Sequence, residues 1–136
     1  MKIKLLDFGY ENPPIRAHYN DAGIDVYTTK TTAIHAHSTS RLPLGFGLEI
    51  PDGYMAMVVP RSGMSTRGLV SELAPIDSGY RGEIHAIVSN LTPHTQSIPE
   101  GTRIAQLVIM PVIMAELSEE IGEERGEQGF GSTGTK

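Results

Sequence analysis

Glycine or proline interrupts this chain roughly every eight to twelve residues, and the stretches between are short and rich in β-branched side chains. Such punctuation starves helices, which need longer uninterrupted runs to bury an apolar stripe. The pattern predicts an all-β barrel or sandwich. A strand is expected over residues 24–28, and 31–37 carries further β-branched residues before Ser38-Thr-Ser40 turns the chain. Residues 45–50 precede Pro51-Asp-Gly53, a tight reversal that predicts a hairpin with the run 54–59, which stops at Pro60. Residues 83–88 alternate polar and apolar, and 104–113 make a long strand-like run broken by Pro111. Only residues 65–69 suit a helical turn.

A length of 136 residues fits one domain with a real core. The acidic patch 116–124 reads as a solvated linker, which divides the chain into a β body, 1–115, and a linker with a glycine-rich tail, 116–136. A net charge of −5 argues against a nucleic-acid partner, because neutralising a duplex needs clustered Lys and Arg. Cysteine is absent, so disulfides and thiolate zinc sites are excluded. Residues 1–7 lack the apolar region of a signal peptide, and no stretch is long enough to span a bilayer. A soluble, cytoplasmic protein without a membrane partner is expected.

Several islands could carry chemistry. In the tail, Arg125 could meet a terminal phosphate, Ser132 and Thr133 further phosphate oxygens, and Phe130 between Gly129 and Gly131 a base. The same composition suits a frayed terminus. Pro60-Arg-Ser-Gly63 follows a strand and offers a guanidinium, a hydroxyl and a closely approachable backbone, as a phosphate clamp would; an ordinary turn with Ser62 or Ser65 as N-cap is the other reading. Ile76-Asp-Ser-Gly-Tyr80 would place Asp77 beside Tyr80 in a hairpin, where an ionised Asp77 could deprotonate a water, although Asp and Ser-Gly are also common turn residues. Asp21 and Asp25 flank a small turn and could hold Mg2+ through its water shell. Arg103 and Gln106 point to opposite faces of a regular strand and serve one site only if the strand bends. His35 and His37 share a face at strand spacing but find no third ligand nearby, and His18, His85 and His94 are scattered.

Taken in order, Asp21-Ala-Gly-Ile-Asp25, Pro60-Arg-Ser-Gly63, Ile76-Asp-Ser-Gly-Tyr-Arg-Gly82, Arg103-Ile-Ala-Gln106 and the tail from Arg125 to Gly134 resemble the five motifs of the trimeric dUTP pyrophosphatase (dUTPase) family. The resemblance covers most of the chain. It implies a jelly-roll-like β-barrel assembled as a homotrimer, with a C-terminal arm reaching a neighbouring subunit. One chain would supply the first, second and fourth motifs, another the third, and the remaining chain its tail as a lid that orders over nucleotide. The implied activity is hydrolysis of dUTP to dUMP and pyrophosphate, which keeps uracil out of DNA and supplies dUMP for thymidylate synthesis. Asp77 would activate the attacking water, and Tyr80 would lie against the deoxyribose and refuse a 2′-hydroxyl. Asp25 would contact the waters of Mg2+ carried by the triphosphate. Arg61, Ser62, Gly63 and Gln106 would position phosphates, and main-chain groups around Ile76 would read uracil. Arg125, Gly131, Ser132 and Thr133 would close on the outer phosphates while Phe130 stacks on the base.

Selectivity would follow from one edge pattern. Uracil and cytosine present opposite donors and acceptors at position four, so a site satisfying one leaves the other unpaired. The chain departs from the common family pattern at Gly79, at Ser71-Glu-Leu-Ala74 and at Gln128. The nearest enzymatic rival, dCTP deaminase, shares the fold and would release ammonia. A further reading is a nucleotide-gated interaction protein, with a regulatory protein partner if the source is viral.

Overall fold

Along β9 (His85–Asn90) every second side chain is buried, with Ala86, Val88 and Asn90 inward, as a strand with one covered face requires. The computed structural model describes residues 1–120 of the chain, and β-strands dominate them. In chain order β9 is preceded by β1 (Lys4–Asp7), β2 (Ile24–Tyr27), β3 (Thr32–Ile34), β4 (Thr39–Pro43), β5 (Phe46–Glu49), β6 (Tyr54–Pro60), the helical turn α1 (Ser62–Ser65), β7 (Leu69–Ser71) and β8 (Pro75–Ile76). It is followed by β10 (Gln96–Ile98) and β11 (Arg103–Pro111). The pairing is antiparallel throughout: β2-β11-β6-β8, β4-β9-β7, β1-β5 and β10-β3. All four sheets feed one core, with Val26, Ile34, Leu42, Phe46, Val58, Leu69, Val88, Ile98 and Leu107 buried together. The all-β expectation holds.

Three local expectations fail for identifiable reasons. The turn before β4 is made by Ala36 and His37, the latter in the left-handed region at φ 55°, so Thr39 and Ser40 open the strand instead of reversing the chain. His35 and His37 therefore share no strand face. The Pro51-Asp-Gly53 reversal exists, with Gly53 at φ +88°, but its flanks form no hairpin: β5 pairs with β1, and β6 with β11 and β8. The helical turn occupies Ser62–Ser65 rather than 65–69, because Gly68 at φ +82° ends it and Leu69 already belongs to β7.

Asn90 is fully buried and organises one end of the barrel. Its side-chain amide donates to the carbonyls of Ile34 (2.9 Å) and His94 (2.8 Å), and its Oδ1 accepts from the Thr92 N–H (3.0 Å). The hydrogen bonds of a buried amide so placed offset its desolvation and tie β9 to the loop ends on both sides.

Candidate active site

Gln106 sits opposite Asp25 in the β2–β11 ladder and opposite Val59 in the β6–β11 ladder, so the first, second and fourth motifs converge by strand pairing alone. The register slips between Arg103 and Ala105, a β-bulge that buries Ile104 and Ala105 in succession. The extra residue changes the phase of the strand. Arg103 and Gln106 consequently share the outer face, where regular alternation would have separated them.

Asp25 is 8% exposed. Its main chain is pinned by Ile15 on one side, with N–H to O distances of 2.7 and 3.1 Å, and by β11 on the other. Arg103 Nη1 lies 3.4 Å from Asp25 Oδ2, and the Arg103 carbonyl accepts a 3.0 Å bond from Arg61 Nη1. Arg103 thus links the first motif to the second, a role that motif spacing does not reveal. Arg61 is the N-cap residue of α1 in an extended conformation, and no side chain caps that turn, so neither Ser62 nor Ser65 is the N-cap. Asp21 turns away: its carboxylate receives the His18 N–H and faces His18 Nδ1, both at 3.0 Å. Only Asp25 of the two acids meets the cluster.

Gly23 is the residue that motif reading passed over. A Cβ there would come within 2.1 Å of Gln106 Oε1, so the glutamine side chain lies directly over the glycine. The signal was present in Asp21-Ala-Gly-Ile-Asp25, where the smallest residue leaves the space.

Asp77 and Tyr80 are brought together in a reverse turn, with the Tyr80 N–H donating to the Asp77 carbonyl (3.1 Å), although β8 and β9 do not pair as a hairpin. Ser78 Oγ reaches Asp52 Oδ1 (3.2 Å), and Arg81 donates to the Ser78 carbonyl. Tyr80 is 44% exposed and donates its hydroxyl to the Glu83 carbonyl at 2.7 Å. Beside it an open cavity of about 180 Å3 is bounded by Ala74, Pro75, Ile76, Tyr80, Glu83 and His85. The two constellations stand apart in one chain. Ile76 pairs with Ala56 on one side of β6 and Gln106 with Val59 on the other, so about 10 Å along the strand and two spacings of about 4.8 Å across it place the third motif on the order of 14 Å from Gln106, with Asp25 one strand further on. Arg125, Phe130, Gly131, Ser132 and Thr133 lie outside the described residues. Among the described residues no trio of His, Asp and Glu is arranged to hold a metal, and no helix is long and apolar enough to cross a membrane.

The dUTPase family model matches residues 11–134. A Bifidobacterium longum protein named deoxyuridine 5'-triphosphate nucleotidohydrolase is 43% identical, over 97% of this chain and 88% of its own. Among solved structures, a variant of the Staphylococcus bacteriophage 80alpha dUTPase with dUpNHpp superposes with a TM-score of 0.85 at 26% identity, covering 98% of this chain and 96% of its own. A mutant dUTPase from phage phi11 of S. aureus, described with a structural Mg(II) ion, gives 0.83 at 25% identity, over 90% and 100%. These likenesses place the chain among nucleotide hydrolases built on a jelly-roll-like β-barrel. It belongs to the dUTPase family, the dUTP diphosphatases.

Proposed function

We propose that the protein cleaves dUTP between its α- and β-phosphorus atoms in a homotrimer whose sites each draw on three chains. What supports this reading is that Ile76 lies on one side of β6 and Gln106 on the other, about 10 Å apart along the strand and two strand spacings apart across it, on the order of 14 Å within one chain. A triphosphate nucleoside meets both groups at once only if one copy supplies the phosphate cluster and a second its 77–80 turn. The segment after β11 supports association, since Ile113, Met114 and Leu117 are 88%, 77% and 94% exposed. An apolar cavity of about 490 Å3 between Ile3, Leu5, Ile24, Tyr54, Leu107 and Ile109 offers a neighbour matching surface.

Asp77 orients a water and takes its proton as the oxygen attacks the α-phosphorus; the bond to the bridging oxygen breaks, and pyrophosphate leaves. The dUpNHpp of the phage relative carries nitrogen in that α,β-bridge, which is the bond this reaction breaks. Arg61, Ser62, Gly63 and Gln106 position the phosphates. A Cβ on Gly63 would meet nothing within 4 Å of its own chain, so close approach of a ligand explains that glycine better than internal packing does. Deoxyuridine enters the cavity beside Tyr80, main-chain groups at Ile76 read the base, and the ring excludes a 2′-hydroxyl. Residues 116–136 form the linker and lid, with Arg125, Gly131, Ser132 and Thr133 on the outer phosphates and Phe130 on uracil.

The donor set fits Mg2+ that arrives on the substrate. A single buried carboxylate, already beside a guanidinium, makes no resident cage but suits the water shell of an ion held by phosphates. Asp25 would hold it through water, and the ion would offset charge on the triphosphate. The reading is tested by pyrophosphate release from dUTP, dCTP, dTTP and UTP with Mg2+. Wild type should act on dUTP alone at an appreciable rate, and Asp77→Asn should lower kcat on the order of 10² to 10⁴. An unchanged rate in that variant would overturn the mechanism.

A further inference from the structure

Tyr80 can exclude a 2′-hydroxyl only if its ring stays where it is, and the structure shows what keeps it there. The hydroxyl donates to the Glu83 carbonyl at 2.7 Å. The ring also crosses Gly82 so closely that a Cβ there would lie 2.6 Å from the hydroxyl oxygen and 2.8 Å from Cζ. Residue 83 is fixed in turn. Its carboxylate Oε2 accepts the Gly45 N–H at 2.9 Å, across 38 positions of chain. Gly45 is an immobile anchor: it is buried at φ +81°, a Cβ on it would come within 2.8 Å of the Tyr10 main chain, and its carbonyl holds the Phe8 N–H at 2.9 Å. Immediately after Glu83 the ladder takes over, with Ile84 donating to the Phe46 carbonyl at 2.8 Å.

The other Glu83 oxygen lies 4.0 Å from His85 Nε2, and His85 Nδ1 lies 3.5 Å from Arg41 Nη2. His85 thus stands between the Arg41 guanidinium and the Glu83 carboxylate. Arg41, His85 and Glu83 therefore form one polar side of the cavity beside Tyr80, with Gly45 holding Glu83 from behind.

We propose that Glu83 is a positioning residue for sugar selection, fixing Tyr80 through the Gly45 N–H on one side and the Tyr80 hydroxyl on the other, with Gly82 leaving the room the ring needs. This rests on the reading of Tyr80 as the gate against ribose. Glu83 is given no step of the chemistry and acts through the place of Tyr80, so its removal acts on discrimination and KM rather than on kcat.

The test compares kcat/KM for dUTP and UTP, with and without variants, in the full-length protein. Tyr80→Ala establishes the gate itself and should collapse the dUTP/UTP ratio. Glu83→Ala should lower that ratio by about tenfold or more through a rise in KM for dUTP, with kcat within about twofold of wild type. Glu83→Gln should restore it, because the amide oxygen can still accept the Gly45 N–H. Gly82→Ala, which displaces the ring without altering Glu83, should reproduce the Glu83→Ala defect, and Glu83→Asp, whose shorter side chain withdraws the carboxylate from the Gly45 N–H, decides the matter if Glu83→Ala fails to fold. An intact ratio in Gly82→Ala and in folded Glu83→Ala, beside a collapsed one in Tyr80→Ala, overturns the positioning role alone. An intact ratio in Tyr80→Ala removes the gate, and the inference with it.

Discussion

Gln106 covers Gly23 at a distance that no larger residue permits: a Cβ on the glycine would lie 2.1 Å from Oε1 and 2.8 Å from Cδ of the glutamine. The obstructed atoms are the far end of a flexible side chain, so Gly23→Ala should fold and displace Gln106 rather than break the ladder. Since Gln106 is assigned to the phosphates, KM for dUTP should rise by about tenfold with little change in melting temperature. A Gly23→Ala enzyme with native KM would mean that Gln106 does not bind substrate.

Several strand positions were legible because proline closes their runs, as Pro60 does for β6 and Pro111 for β11, although Gly47 lies within β5. Partners were not. The expected hairpin across Pro51-Asp-Gly53 failed since β5 and β6 find better partners in β1 and β11, far away in the chain. The short strands β1, β7, β8 and β10 carry too few residues to announce themselves and exist by virtue of the neighbour that covers each. The bulge in β11 was equally silent, because Ile104 looks like any strand residue until its neighbour Ala105 is seen to be buried with it. Motif residues were found from side-chain chemistry, whereas Gly23, Glu83 and the linking role of Arg103 depend on which strands meet.

Removal of the Asn90 amide should be the most damaging polar change in the barrel. Asn90→Leu leaves the buried carbonyl of Ile34 without its amide donor, the His94 carbonyl with the Thr92 hydroxyl alone, and the Thr92 N–H without its Oδ1 acceptor. With unsatisfied groups costing about 1–3 kcal/mol each, a loss of roughly 3 kcal/mol is expected after partial relaxation, read as a lowered denaturant midpoint. A loss under about 0.5 kcal/mol would show that water replaces the amide.

Truncation at Glu124 addresses the tail. If Arg125, Phe130, Ser132 and Thr133 close over nucleotide, the shortened enzyme should keep its oligomeric state by light scattering and its melting temperature, yet lose nearly all turnover. Full activity in the truncated protein ends the lid reading.

The sharpest test of shared sites is complementation. Asp77→Asn removes the base on the third motif, and Gln106→Ala removes a phosphate contact on the far side of β6, on the order of 14 Å from that motif in the same chain. Each homotrimer should be severely impaired on its own. If a site takes Gln106 from one copy and Asp77 from another, a trimer containing both variants carries at least one site in which both residues are native. Mixing the two proteins under conditions that exchange subunits should then raise activity well above the sum of the parts, with a maximum at an intermediate ratio. If both residues serve the same site from one chain, every mixed trimer holds only damaged sites. Activity would then follow the sum of the two parents at every ratio, and the composite site would be wrong.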